Sequence, residues 1–129
     1  MIPDCLAGTH VLIIDDEIDS RELLTLVFQQ EGAKTTSVSS ANEALEAFKK
    51  NLPDIIISDI GMPKIDGYTL IHQIRSLPEG KKVPAIALTA YGGEVNRQRS
   101  LNAGFQYHIA KPIDIIQLLD ITLKLLSQS

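Results

Sequence analysis

Only one cysteine, Cys5, stands in the 129 residues, so no internal disulfide can form. No stretch is long and apolar enough to span a bilayer as a helix. The first residues include Asp4 and lack a basic segment, so they do not have the form of a secretory signal peptide. These absences lead us to expect a cytoplasmic protein or domain. Positive charge is also in deficit, with 12 Lys and Arg against 16 Asp and Glu and a net charge of −4. A phosphate backbone is bound through clustered cations, so this balance argues against nucleic acid as a direct partner. No internal repeat, low-complexity tract or linker-like stretch breaks the chain, and one domain over 1–129 is expected. What is present suits a globular unit: 44% hydrophobic and 22% charged residues. A domain of this size buries roughly two thirds of its unfolded surface and needs no covalent staple.

Apolar runs alternate with segments of helical period, which predicts repeated βα units and a parallel sheet. Val11–Ile14, Ile55–Ile57 and Ala85–Leu88 are almost continuously apolar, as strands covered on both faces are. Lys34–Val38 is more polar and suits an edge, and Tyr107–Ala110 is a short last strand. The first helix is expected over about residues 19 to 31, with Leu23, Leu24, Val27 and Phe28 inward. The second runs over about 41 to 51 and opens on a capping box, Ser40-Ala41-Asn42-Glu43. The third spans about 68 to 77. The fourth, about 94 to 103, is so polar that only Val95, Leu101 and Ala103 are left to pack. Helices are held mainly by an apolar face, so this helix and the loop Tyr91-Gly92-Gly93 are expected to be the mobile part. The fifth, about 113 to 126, is apolar nearly all round. Five such units with right-handed crossovers make a small doubly wound α/β fold.

The chemistry is concentrated where the runs end. The first run ends in Asp15-Asp16-Glu17 and the third in Asp59, followed at once by the turn Gly61-Met62-Pro63-Lys64-Ile65-Asp66-Gly67. The later runs end in Thr89 and in Lys111-Pro112. Ligands in doubly wound sheets lie beyond the carboxyl ends of the strands, where strand order reverses. Parallel packing would bring carboxylates, hydroxyl and ammonium to one edge. Each has a plainer reading by itself: helix caps, a turn residue, a strand threonine, a solvated lysine. Together and in this order they read as a site for a divalent cation and a phosphoryl group.

Carboxylates crowded to about 4 Å repel by on the order of 4 kcal/mol per pair at an effective dielectric near 20. A hard cation such as Mg²⁺ relieves this and keeps several waters. Asp16, Asp59 and the backbone carbonyl of Gly61 are the expected direct ligands, with Asp15 acting through a bound water. A carboxylate is also a nucleophile toward phosphorus. Lys111 and Thr89 can meet the remaining phosphoryl oxygens, and such transfer is largely positioning and charge stabilisation. A haloacid-dehalogenase-type phosphatase is the first alternative, but it needs an acid/base Asp two residues after the nucleophile, where this chain has Gly61. A nucleotide- or flavin-binding module is the second; it wants a phosphate loop after the first strand, where Asp15-Asp16-Glu17 would repel one.

Four motifs carry a family resemblance: Val11-Leu12-Ile13-Ile14-Asp15-Asp16-Glu17, Ser58-Asp59-Ile60-Gly61-Met62-Pro63-Lys64-Ile65-Asp66-Gly67, Pro84-Ala85-Ile86-Ala87-Leu88-Thr89-Ala90 and Ala110-Lys111-Pro112. Over about residues 9–127 the chain resembles the receiver domains of two-component response regulators. The resemblance implies a flavodoxin-like (βα)5 sheet of order 2-1-3-4-5, with Asp59 as phosphoacceptor. It implies Mg²⁺ at Asp15 and Asp16, with Mn²⁺ as a substitute, and phosphate sensing by Thr89 and Lys111. It also implies a cis bond before Pro112. The donor would be a phosphohistidine on a histidine kinase or histidine phosphotransfer domain. Such a domain is not an enzyme in its own right, although it assists its own phosphorylation and dephosphorylation. The stretch Cys5-Leu6-Ala7-Gly8-Thr9-His10-Val11 is similar to the entry of receivers attached to hybrid sensor kinases, as are Ile86–Tyr91 and Gly104-Phe105-Gln106. No helix-turn-helix follows the last helix, and a hybrid-kinase receiver is favoured over a stand-alone regulator; a parent kinase would then be the enzyme.

In that family activation moves the threonine toward the phosphate and turns an aromatic residue of the last strand inward. His108 occupies that position here, three before Lys111, and Tyr91 lies where access of water to the acyl phosphate is tuned. Ile18, Met62, Pro112 and Ile113 flank the expected site as apolar groups that could dock the donor. The fourth and fifth helices are the expected signalling face and a candidate homodimer face.

Overall fold

All four strongly patterned runs and the polar edge segment become strands, because each is bounded by a turn and too short for a helix. The computed structural model describes residues 5–90 and 93–128. Its elements, in chain order, are β1 (His10–Ile14), α1 (Ile18–Gln30), β2 (Lys34–Val38), α2 (Ala41–Lys50), β3 (Ile55–Asp59), α3 (Gly67–Arg75), β4 (Ala85–Thr89), α4 (Glu94–Ala103), β5 (Tyr107–Ala110) and α5 (Ile115–Ser127), with a 3-10 turn at Pro78–Gly80. The strands form one sheet in the order β2-β1-β3-β4-β5, and every pairing is parallel. The expected α/β fold and strand order are therefore the observed ones.

Two apolar cores cover the sheet. On one face Val11, Ile13, Ile55, Ile57, Ile86 and Leu88 meet Leu24, Phe28, Leu118 and Leu119 from α1 and α5. On the other, Leu12, Ile14, Ile56, Ala85 and Ala87 meet Ala44, Phe48, Leu70, Ile71 and Ile74 from α2 and α3. Alternate strand residues serve alternate faces, so Val11–Ile14 of β1, Ile55–Ile57 of β3 and Ala85–Leu88 of β4 are apolar without a break. Leu6 is buried in the first core, so the packed unit begins before residue 9.

The sequence misled at several helices. Leu23 is exposed, and α1 buries Leu24, Val27 and Phe28 instead. Val95 is 83% exposed, while the polar Ser100 is the fully buried residue of α4. A helix whose polar residues ring it completely has no face that composition can reveal. α5 starts at Ile115 rather than about residue 113, because the Asp114 carboxylate caps it by accepting from the Gln117 N–H at 3.2 Å. It buries Leu118, Leu119, Ile121 and Thr122 and leaves Ile116 exposed. Tyr91 and Gly92 lie outside the described residues, so the expectations placed on them are not addressed. Among the described residues no helix is long and apolar enough to cross a membrane.

Candidate functional site

The register of the sheet sets β1, β3 and β4 side by side, so the residues that leave their C-terminal ends are neighbours. Ile14 pairs with Ser58, Asp59 with Leu88, and Thr89 with Ala110. Asp15, Asp59, Thr89 and Lys111 therefore emerge from one edge. The peptide bond from Lys111 to Pro112 is cis, as expected, and the Lys111 N–H donates to the Thr89 carbonyl at 2.7 Å. The lysine returns over the strand tips rather than away from them.

The side chains converge. One carboxylate oxygen from each of Asp15, Asp16 and Asp59 lies within 4.8 Å of the other two. The Lys111 ammonium stands 3.4 Å from Asp59 Oδ2, 4.0 Å from Asp15 Oδ2 and 4.0 Å from Glu17 Oε1. Asp15 is fully buried, Asp59 is 5% exposed and Thr89 is also buried, whereas Asp16 faces solvent. Burial thus varies sharply across a few ångströms.

Each buried acid is held by the turn after its strand. The Glu17 N–H donates to Asp15 Oδ1 at 2.9 Å, and the Arg21 guanidinium donates to the Asp15 carbonyl at 2.8 Å. The Gly61 N–H donates to Asp59 Oδ1 at 3.3 Å. Asp66 caps α3 by accepting from the Thr69 N–H at 2.9 Å. Gly67 is required at the helix start, since a Cβ there would fall 2.6 Å from the Asp59 carbonyl oxygen. That close approach seats α3 against the tip of β3.

Asp15 Oδ2 is buried without a hydrogen-bond donor among the described residues. Burial pushes the Asp15 carboxyl above its ordinary range, and the charges of Asp59 and Asp16 push the same way. The Glu17 N–H and Lys111 oppose this. A vacant lone pair, three crowded carboxylates and an all-oxygen donor set are what a hard divalent cation would satisfy.

A cavity of about 320 Å³ opens beside Asp59, lined also by Gly61, Thr89 and Lys111, by Glu17 and Asp66, and by Tyr68, Asn96 and Arg99 from α3 and α4. Over residues 11–123 the chain matches the response regulator receiver domain family. The chain belongs to that family. It is 43% identical over 114 residues to an uncharacterised 14.6 kDa protein of Leptolyngbya boryana, covering 88% of this chain and 87% of that one. It is 34% identical to sporulation initiation phosphotransferase F of Bacillus subtilis, covering 94% and 96% of the two chains. Among solved structures, the receiver domain of a sensor histidine kinase of Pseudomonas aeruginosa, with magnesium coordinated in its active site cleft, is similar at a TM-score of 0.86 and 28% identity, covering 94% and 99%. Relatives differ greatly in length: the chain spans 96% of the Bacillus subtilis protein but only 8% of a hybrid signal transduction histidine kinase of Dictyostelium discoideum, to which it is 32% identical. As a receiver domain it has a phosphoacceptor signalling role in a two-component system.

The receiver's remaining expected residues scatter. His108 is half-buried on β5 and lines a separate groove of about 250 Å³ with Arg97, Leu101, Tyr107 and Gln117. Ile18 and Pro112 are exposed and Ile113 is half-buried. Met62 is a correction: it is 7% exposed and packed into the α2–α3 core, so it offers little surface to a donor. Sequence reasoning missed Glu17 as a partner of Lys111, although it directly follows the acidic pair. It also missed Arg99 and Tyr68, whose guanidinium and ring lie 4.3 Å apart across the α3–α4 boundary. No local pattern marks that contact.

Proposed function

We propose that Asp59 is the phosphoacceptor of this receiver domain. One observation carries the reading: Asp59 alone among the clustered acids both lines the cavity and faces the Lys111 ammonium at 3.4 Å. A carboxylate oxygen of Asp59 attacks phosphorus, the bond to the donor breaks, and the donor leaves with the electron pair. Lys111 pairs with a phosphoryl oxygen and Thr89 donates its hydroxyl to another. The Gly61 N–H holds Asp59 Oδ1, which leaves Oδ2 as the attacking atom. Asp15, Asp16, Asp59 and the Gly61 carbonyl would hold Mg²⁺, or Mn²⁺ in its place. When bound, the cation supplies charge neutralisation for the phosphoryl oxygens and relieves the crowding of the acids. The orphaned Asp15 oxygen supports direct ligation by Asp15, beyond the water-mediated role read from the sequence.

The donor in this reading is a phosphohistidine on a histidine kinase or phosphotransfer domain. Its docking would use the exposed Ile18 and Pro112, with Ile113 beside them. Thr89 and His108 couple phosphorylation to the face of α4, β5 and α5, which is also the homodimer candidate. The domain works in the cytoplasm without direct nucleic-acid contact, as a signalling module that assists its own phosphorylation and dephosphorylation.

The test is incubation with Mg²⁺ and acetyl phosphate followed by intact mass. One added phosphoryl group is expected, absent in Asp59→Asn and absent when the metal is chelated. Retention of the group by Asp59→Asn would move the acceptor elsewhere.

A further inference from the structure

The cavity beside Asp59 has a wall that the phosphoryl chemistry does not use. Arg99 and Asn96 come from α4 and Tyr68 from α3. The Arg99 guanidinium lies 4.3 Å from the centre of the Tyr68 ring, which fixes its position at little entropic cost. Among the described residues no carboxylate pairs with it. The two acids that share the cavity with it are otherwise engaged: Glu17 with Lys111, and Asp66 with the N-terminus of α3. A cation with free donors therefore faces the space into which Asp59 looks.

In-line displacement puts the attacking oxygen and the leaving atom on opposite sides of phosphorus. The leaving group must then travel away from Asp59, into the cavity. We infer that Arg99 receives the carboxylate leaving group of small acyl phosphates and so makes them preferred small-molecule donors. This rests on Asp59 as acceptor and extends that reading to the chemistry of the donor.

The step balances without a further reactant. The Asp59 carboxylate and the acetyl phosphate dianion give aspartyl phosphate and acetate; the P–O bond to the acetyl group breaks and acetate keeps the electron pair. With phosphoramidate the P–N bond breaks and neutral ammonia leaves from an already protonated nitrogen. A planar guanidinium matches the first leaving group in charge and in two-point geometry, and offers nothing to the second. Lys111 faces the phosphoryl group in both cases, so the two donors isolate Arg99.

The experiment compares phosphorylation rate constants for acetyl phosphate and phosphoramidate at equal ionic strength and saturating Mg²⁺. In Arg99→Gln the ratio of the two constants should fall about 5- to 10-fold, the usual worth of a partly exposed charge-assisted hydrogen bond. Arg99→Lys should keep part of the ratio, and Tyr68→Leu should lower it about twofold by freeing the guanidinium. Beryllofluoride, which mimics the phosphoryl group but has no leaving group, should bind Arg99→Gln with the affinity of the parent, measured by titration calorimetry. An unaltered ratio, an equal fall with both donors, or weakened beryllofluoride binding would each overturn the role of Arg99. Asp59→Asn separates the two levels: if it stays unphosphorylated by both donors, the acceptor assignment stands whatever Arg99 does.

Discussion

The sheet carries charge at each end, a buried acidic cluster at one and a half-buried guanidinium at the other, and the two are built in opposite ways. At the carboxyl ends of the strands Asp15 and Asp59 are buried side by side with one ammonium between them, and Asp15 Oδ2 has no donor among the described residues. At the other end the Arg75 guanidinium is saturated. It donates to the carbonyls of Gly80 and Val83 at 2.8 and 2.6 Å, twice to the Gly104 carbonyl at 3.0 and 2.7 Å, and to Gln106 Oε1 at 3.0 Å. Burial pulls its pKa below the ordinary value, yet every contact stabilises the charged form. One end is finished by the protein itself. The other is left with an unpartnered buried oxygen and crowded acids, which the proposed reading completes with a bound cation.

The largest way to break this comparison is to empty the saturated end. Arg75→Met leaves three loop carbonyls without their donor and should cost roughly 3 kcal/mol, since hydrogen bonds to charged groups are worth about 1.5–3 kcal/mol each and are not fully additive. Urea unfolding should show a lower midpoint with an unchanged slope. Acetyl phosphate should still label the folded fraction at Asp59. A stability loss below about 1 kcal/mol would mean that water replaces the guanidinium easily, and the contrast between the ends would shrink.

At the unfinished end the sign should reverse. Asp59→Asn keeps the shape and removes one of three crowded negative charges, so the metal-free protein should gain about 1 to 2 kcal/mol. Saturating Mg²⁺ should erase most of that gain, because it stabilises only the parent's full set of ligands. Unfolding of both proteins with chelator and with Mg²⁺ measures this directly. A destabilised Asp59→Asn would show that the pairing with Lys111 outweighs the repulsion.

How much of this contrast could be read from the chain alone differs between the ends. Asp15, Asp59, Thr89 and Lys111 were legible because each ends an apolar run, and parallel neighbours must deliver their tips to one edge. Arg75 was not, because all but one of its partners are backbone carbonyls, which any sequence supplies. The Arg99–Tyr68 contact was hidden for a related reason: it depends on how α4 is rotated, and a helix polar on every side gives no clue to its rotation. The same ambiguity explains why Val95 was placed inside and Ser100 outside, the reverse of the fold. Met62 looked like a turn residue free to meet a partner, but the turn folds it back onto the α2–α3 core.

The pH dependence sharpens the comparison further. The Asp15 carboxyl is raised in the folded protein, so the native state holds its proton more readily than the unfolded chain does. Its contribution therefore becomes unfavourable as pH rises from the ordinary carboxylate range through the raised value. Asp15→Asn removes that penalty while still accepting from the Glu17 N–H. In metal-free buffer the variant's stability advantage over the parent should be larger at about pH 8 than at about pH 5, and Mg²⁺ should remove it. An advantage independent of pH would mean that Asp15 stays ionised at no cost.

The smallest effect tests whether burial, rather than pairing, is what gives this end its charge sensitivity. Glu17 also pairs with Lys111 at 4.0 Å, the same separation as Asp15, but its side chain is 68% exposed where that of Asp15 is fully buried. In high dielectric such a pair contributes little, since water solvates both charges and the long side chains lose freedom on pairing. Glu17→Gln should change the unfolding free energy by less than about 0.5 kcal/mol, and 0.5 M salt should abolish even that. A change as large as that of Asp15→Asn would mean that the rim of the site is as desolvated as its floor. The orphaned oxygen of Asp15 would then no longer mark the point where a bound cation matters most.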